Sequence, residues 1–452
     1  MIVLKFGGTS VSTTSRIRTI CEIVQKERSN NPVVVVSAIR GVTDLLLSCL
    51  TLSQKERKKV VAKIEQIHME LACEYFEVTE VLEIQTYLKN CMLQVETFLK
   101  KRERSRAISD AVISQGEKLS SYIISKALII SGIKAEQVVA TELIVTDMHF
   151  GSADFLPKVT RDKTQEVLLP IIKKNTVPVI TGFIGATTLG QITTLGRGGS
   201  DYSAAIIAYS LEASEIQIWT DVNGIYSADP RLVSTASLLS KVSYREAAEL
   251  AAFGAKILHP RTIRPAITAG IPVKVLNTLQ PESVGTQITM SSKKIQRVAA
   301  IASKKEIILV NLYSIDMLLS KGFLVRIFSI FTKYTISIDL VSVSEVSVSV
   351  TLDNDDNLSS AVAELEEFTT VSVRKVGMVS IIGDGIIGVP NIMADIFSVL
   401  GIENIPIHMV SFGATDINIS LVVDSGNVYP SVQLLHDTLF LPEDTQQERS
   451  YL

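Results

Sequence analysis

Cysteine is scarce: Cys21, Cys49, Cys73 and Cys91 are the only four, all in the first fifth of a 452-residue chain. None forms a C-x-x-C pair, which excludes a zinc ribbon and a disulfide framework and fits a reducing, cytoplasmic compartment. No apolar run reaches the length of a membrane span. The N-terminus has no basic n-region and too short an apolar stretch for a signal peptide. Neither sign of charge dominates. The 44 Lys and Arg against 47 Asp and Glu leave a net charge of −3, which argues against a nucleic-acid partner. Glycine and proline are missing throughout 53–106, a stretch rich in Lys, Glu, Gln and Leu that reads as long helices. A hydrophobic content of 46% is ample for burial and excludes a disordered chain.

The rest of the first 280 residues alternates strand and helix. Ile2–Phe6 is an apolar run ending in Gly7-Gly8, a buried strand opening into a tight loop. Arg16–Gln25 has helical spacing, and Val33–Val36 is a second buried strand. This order predicts a mainly parallel sheet with right-handed crossovers. Strands are also expected at Val177–Thr181, Ile216–Trp219 and Val273–Leu276. Residues 281–298 read as a linker. Beyond it a β-α-β-β pattern occurs twice, over 299–370 and 371–452, as two small α+β modules, the first with a strand at Ile307–Leu312 and a helix Phe323–Lys333 preceded by Gly322. Residues 425–452 either complete the first module or extend the second.

Four motifs carry chemistry. In Lys5-Phe-Gly-Gly-Thr-Ser-Val11 a lysine at a strand end precedes paired glycines, so that backbone N–H groups can converge on an anion. It is not a Walker A loop. In Thr193-Thr-Leu-Gly-Arg-Gly-Gly-Ser-Asp201 three glycines flank Arg197 at a helix start, where Asp201 reads either as an N-cap or as a carboxylate that orients lysines or holds Mg²⁺. Trp219-Thr-Asp-Val-Asn-Gly-Ile-Tyr-Ser-Ala-Asp-Pro-Arg231 follows a strand, where open parallel sheets bind ligands. In Phe253-Gly-Ala-Lys-Ile-Leu-His-Pro260, Lys256 can reach a phosphate, and His259 reads as structural.

Together and in this order the four motifs closely resemble the aspartokinase family over essentially the whole chain. Ser114-Gln-Gly-Glu117 and Gly182-Phe-Ile-Gly185 also match. The resemblance implies an amino-acid-kinase catalytic domain over 1–280, with 53–106 as a helical insertion, followed by two ACT-like (ferredoxin-like) modules. It implies transfer of the ATP γ-phosphoryl group to L-aspartate with Mg²⁺, the first step toward lysine, threonine, methionine and diaminopimelate, under lysine feedback. Lys5, Asp201 and Lys256 match the catalytic residues. Lys5, Gly7, Gly8, Thr220, Asp221, Tyr226, Arg231 and Lys256 match the ATP contacts, with Gly41 as a further backbone donor. Ser37, Thr43, Glu117, Arg197 and Ser200 match the aspartate contacts, Arg197 taking the α-carboxylate and Glu117 the ammonium.

Met317, Ser320, Gly322, Phe323, Leu324, Ser337, Ile338, Asp339, Ser344 and Glu345 match a lysine-effector site of the single-function class. Val343 stands where that class commonly has Thr, and Asn223 where Asp is usual. ACT modules imply a homodimer or a dimer of dimers, with neither nucleic acid nor membrane as partner. Two alternatives stand beside this reading: a superfamily relative acting on glutamate, acetylglutamate or UMP, and an inactive amino-acid sensor. A fused homoserine dehydrogenase is excluded by length.

Overall fold

The computed structural model describes residues 1–100, 105–254, 260–290, 298–318, 320–412 and 416–440. The chain divides into two compact units. The first comprises Met1–Ile225, Ser240–Tyr244 and Ile257–Ser291; the second comprises Tyr226–Leu239, Arg245–Lys256 and Ser292–Leu452.

The first unit is built on an eight-stranded sheet. In spatial order its strands are Ala135–Val138, Val177–Thr181, Pro32–Val36, Ile2–Phe6, Glu215–Thr220, Val273–Asn277, Thr286–Thr289 and Lys241–Ser243. The first six run parallel, and Thr286–Thr289 turns antiparallel to Val273–Asn277. Every residue of Ile2–Phe6 and Pro32–Val36 is buried, and all but Lys5 are apolar, as a parallel strand covered on both faces requires. The Gly-free, Pro-free stretch forms helices Gln54–Tyr75 and Val78–Leu99. The first begins with a capping box: Glu56 N–H donates to Ser53 Oγ and Ser53 N–H donates back to the Glu56 carboxylate. The two pack on each other, and Val78–Leu99 packs on Arg106–Ile130, which ends where Gly132 takes φ +81° and Ile133 N–H reaches Leu128 O at 2.9 Å.

The stretch read as a linker contains the strand Thr286–Thr289. Its Ser, Thr and Gly content hides a two-residue alternation in which Thr286 and Ile288 are buried. Residues 291–297 of that stretch lie outside the described residues.

The second unit carries one antiparallel six-stranded sheet, ordered Leu340–Val343, Ser347–Leu352, Ala300–Tyr313, Thr370–Ile382, Asn418–Val423 and Ile407–Phe412. Its two central strands pair along their length, with a register shift between Lys304 and Ile307. Each half has its own apolar core. Helices Phe323–Lys333 and Leu358–Leu365 cover one half, with Ile327, Phe331, Ala361 and Leu365 inside. Helices Ile392–Ile402 and Val428–Phe440 cover the other, with Ile396, Leu400, Val432 and Leu435 inside. The final described helix therefore closes the second core; residues 441–452 lie outside the described residues. Gly383-Asp-Gly-Ile-Ile-Gly388 spells a dinucleotide fingerprint, yet it follows a strand of an antiparallel sheet and forms a 3-10 turn at Ile386–Gly388, so it lacks the βαβ context that binds a pyrophosphate.

Candidate active site

The site lies at the carboxyl ends of the central parallel strands, where an open α/β sheet places its ligand crevice. A cavity of about 230 Å³ is lined by Lys5, Ser37, Ala38, Thr43, Glu117, Phe183, Gly198, Gly199, Ser200 and Asp201. Six side chains assigned to chemistry from the sequence thus meet there: Lys5, Ser37, Thr43, Glu117, Ser200 and Asp201.

Lys5 sits near the end of strand Ile2–Phe6 and is 8% exposed. Its Nζ lies 2.6 Å from Asp201 Oδ1. Asp201 stands in the first turn of helix Gly199–Leu211, whose cap is Gly198 at φ +70° with no side-chain capping bond. The N-cap reading of Asp201 is therefore replaced by an ion pair. Glycine holds the cap because the backbone turns left-handed there, and this frees the carboxylate to orient the lysine. The helix N-terminus and the ammonium together favour an anion in the cavity.

Glu117 occupies helix Arg106–Ile130 and is 3% exposed. Oε1 accepts from Ala38 N–H at 3.4 Å, and Oε2 has no hydrogen-bond partner. Burial pushes its carboxyl up to about 8 against a small pull from these hydrogen bonds. Glu117 thus lines the cavity with one carboxyl oxygen unbonded, an arrangement that suits a cationic ligand group. Ser120 Oγ donates to Ser37 O at 2.7 Å and fixes the strand end beside it.

Gly8 explains why small residues surround this crevice. A Cβ there would stand 2.6 Å from Ala38 O and 3.3 Å from Arg40 N, both backbone atoms that cannot swing aside. Gly8→Ala is expected to lower both melting temperature and kcat/KM, the latter about tenfold or more, since overpacking costs of order 1–3 kcal/mol. Steady-state kinetics beside a thermal melt check this.

The remaining assigned residues are distributed differently. Arg197 is exposed on the glycine loop and does not line the cavity. Gly7 donates its N–H to Trp219 O at 3.3 Å, and Gly41, at φ +83°, caps helix Val42–Ser48. Thr220 ends its strand and donates to the carboxylate of exposed Asp221 at 3.3 Å. Tyr226 and Arg231 belong to the second unit, where Arg231 pairs with Asp229 at 2.6 Å. Lys256 and His259 lie outside the described residues. In the effector set, Gly322 caps helix Phe323–Lys333, with Phe323 and Leu324 half-buried at its start. Met317 is half-buried in the 3-10 turn Ile315–Met317, and Ser320 is exposed before the helix. Ser337 and Ile338 precede Asp339, whose Oδ2 lies 3.9 Å from Lys304 Nζ. Ser344 bonds Ser347 at 2.7 Å through the hydroxyls, next to exposed Glu345.

Ala38, Phe183, Gly198 and Gly199 line the cavity without having been assigned. The signal for Phe183 lay in Gly182-Phe-Ile-Gly185. Phe183 takes φ +68°, a conformation costly for a bulky residue, and its N–H donates to Ser203 Oγ at 2.9 Å.

A parallel sheet with a lysine-carboxylate pair at the mouth of a glycine-rich crevice defines the class: this is an amino acid kinase. The family model "Amino acid kinase family" matches residues 1–277, and an ACT domain model matches residues 379–439. Lysine-sensitive aspartokinase 3 of Escherichia coli is 34% identical, covering 97% of this chain and 99% of its own. The aspartokinase of Saccharomyces cerevisiae is 32% identical, covering 100% and 94%. The solved structure of E. coli aspartokinase III in complex with aspartate and ADP matches with a TM-score of 0.82 at 34% identity, covering 98% of this chain and 100% of that one. The same protein in complex with lysine and aspartate matches at 0.84, with the same coverage. The chain belongs to the aspartokinase family.

Proposed function

We propose that the protein transfers the γ-phosphoryl group of ATP to the β-carboxylate of L-aspartate in this cavity, giving ADP and 4-phospho-L-aspartate. The observation that carries this is the pairing of opposite demands in one small space: the Lys5–Asp201 ion pair at one side and buried, half-bonded Glu117 at another. The acceptor carboxylate is ionised at neutral pH and needs no general base. The barrier is the approach of one anion to another, so catalysis is charge neutralisation and in-line positioning. Lys5 takes the transferred phosphoryl oxygens, and Asp201 holds the lysine in place. Glu117 takes the substrate ammonium, Ser37 and Thr43 give hydroxyl contacts, and Arg197 takes the α-carboxylate from its glycine loop, where Gly196 and Gly198 take positive φ. Gly7, Gly8, Thr220, Asp221, Tyr226, Arg231 and Lys256 take the nucleotide.

Mg²⁺ fits this site as part of a MgATP substrate, a mode that needs only one or two protein carboxylates. Among the described residues no three His, Cys, Asp or Glu side chains gather to hold a cation by themselves. The ion would neutralise phosphate charge. We further assign residues 1–280 to catalysis and the two ACT-like modules to regulation and pairing of copies. Val325, 68% exposed beside Leu324 and Phe328 on helix Phe323–Lys333, supports such pairing. No described helix is long and apolar enough to cross a membrane, and four free cysteines support the cytoplasmic assignment.

Lysine is the proposed effector, with Asp339 and Glu345 taking its ammonium groups. Burial pushes the Asp339 carboxyl up to about 6, Lys304 opposes this and Asp353 adds to it. The carboxylate is charged above that pH and neutral below it. The half-inhibitory lysine concentration is therefore expected to rise about fourfold between pH 7.5 and pH 5.5, as the ionised fraction falls. Asp339→Asn should abolish that pH dependence. The function is tested by ADP formation with aspartate, glutamate, acetylglutamate or UMP as acceptor, with lysine and threonine titrated separately. Turnover with aspartate that lysine inhibits supports the reading; turnover with another acceptor, or none, overturns it.

A further inference from the structure

The segment that follows Ile225 is built into the second unit. Tyr226–Leu239 folds back on itself through a bridge between Tyr226 and Leu238. Ala228 and Val233 are buried in the same apolar cluster as Ile301, Val379, Val428 and Leu435. Ser227 is fully buried and engaged by every polar group it has. Its N–H donates to Ser237 O at 2.9 Å, and its carbonyl accepts from Ile301 N–H at 2.7 Å. Its Oγ accepts from Ser237 N–H at 2.9 Å and lies 2.9 Å from His436 Nε2.

His436 is 3% exposed on helix Val428–Phe440, stacked on Phe440 with centroids 4.6 Å apart. Its Nδ1 has no hydrogen-bond partner. Burial favours the neutral ring, against the neighbouring Asp437. The ring and the hydroxyl share one hydrogen bond, between His436 Nε2 and Ser227 Oγ, and the ring's second nitrogen is left without one. An imidazole with one nitrogen unsatisfied is a poor choice for filling a core, where an aliphatic side chain would do better. What the histidine supplies is one directional bond, from the last described helix to the residue next to Tyr226.

We propose that His436 is a positioning residue for the nucleotide. Through Ser227 it fixes the backbone that carries Tyr226 and Arg231, so ATP affinity depends on the closing helix of the second ACT-like module. This rests on the reading that Tyr226 and Arg231 contact ATP. Nothing in the local sequence of either partner announces the pair, which is separated by 209 positions.

The test uses the full chain and four single variants, H436L, H436Q, S227A and Y226A, plus the double variant H436L/S227A. Leucine fills the volume but forms no hydrogen bond, whereas the glutamine amide can donate or accept one. KM for ATP and for aspartate are measured separately. H436L and S227A are expected to raise KM for ATP about tenfold, as loss of one buried hydrogen bond allows, with KM for aspartate within about twofold. H436Q should recover most of the loss, and the double variant should be no worse than the worse single one, because both remove the same bond. Unchanged KM for ATP in H436L and S227A while Y226A raises it overturns the positioning role alone. Unchanged KM for ATP in Y226A as well overturns the nucleotide reading beneath it. Equal rises in both KM values, with no rescue by glutamine, reduce His436 to a structural residue and also overturn the proposal. If H436L fails to fold, S227A, which removes only a hydroxyl, decides between these outcomes.

Discussion

Replacing Lys5 by alanine is expected to lower aspartate-dependent kcat by about 10³-fold, the scale on which removing a preorganised charge from a water-poor site acts. Among the described residues, Lys5 is the one cation that lines the cavity. It is buried, and its ammonium is held 2.6 Å from Asp201, so the fold itself sets its position. Arginine should not substitute. The guanidinium is larger and planar, and the Lys5 Nζ already stands 3.6 Å from where a Gly7 Cβ would be. Asp201→Asn should also lose turnover, since an amide orients the lysine less strongly than a carboxylate. The measurement is kcat at saturating MgATP and aspartate, beside a thermal melt that shows the fold retained. A Lys5→Ala enzyme within tenfold of the parent would remove Lys5 from the chemistry.

Glu117→Gln is expected to separate function from stability. KM for aspartate should rise about a hundredfold with KM for ATP unchanged, because the bound ammonium displaces the Glu117 proton and makes a buried charge pair, and loss of one member of such a pair costs roughly 2–5 kcal/mol. Stability should move the other way at alkaline pH. The folded carboxyl titrates near 8 against an ordinary 4.5, so the folded form binds the proton more tightly. The parent protein's stability is then highest with respect to this group below pH 4.5 and declines as pH rises toward 8. Glutamine removes that decline, so the variant should melt above the parent at pH 8.5 and no higher than it at pH 4. A variant that melts lower at pH 8.5 would contradict the burial account of Glu117. A matched rise in both KM values would contradict its role at the ammonium.

Legibility followed the range of the forces involved. Val177–Thr181 and Phe323–Lys333 have the limits expected from their residues, because an apolar β-branched run and a glycine before an amphipathic stretch are local marks. Ala300–Tyr313 was legible only as Ile307–Leu312. Its first residues become strand by pairing with Met378–Ile382, some eighty positions away, which no local pattern reveals. At the site, Lys5 with its glycines was legible as an anion-binding motif. The meeting of Ser37, Thr43, Glu117 and Ser200 was not legible from spacing, and it entered only through resemblance to a family. Asp201 shows the limit of local rules. A carboxylate at a helix start reads as a cap, and only the sheet, by bringing Lys5 alongside, turns it into a partner for the lysine. Asp339 behaves likewise. A hairpin charge reads as solvated, whereas packing leaves its side chain 24% exposed beside Lys304.

The central claim is that the cavity joins a phosphoryl group to the side-chain carboxylate of aspartate. An acyl phosphate is trapped by hydroxylamine, so the decisive measurement is hydroxamate formed from MgATP and L-aspartate by the purified protein. The expected result is β-aspartyl hydroxamate in step with ADP, lost in Lys5→Ala and recovered in Glu117→Gln only at high aspartate. ADP released without hydroxamate, or hydroxamate formed equally from glutamate, would contradict the account.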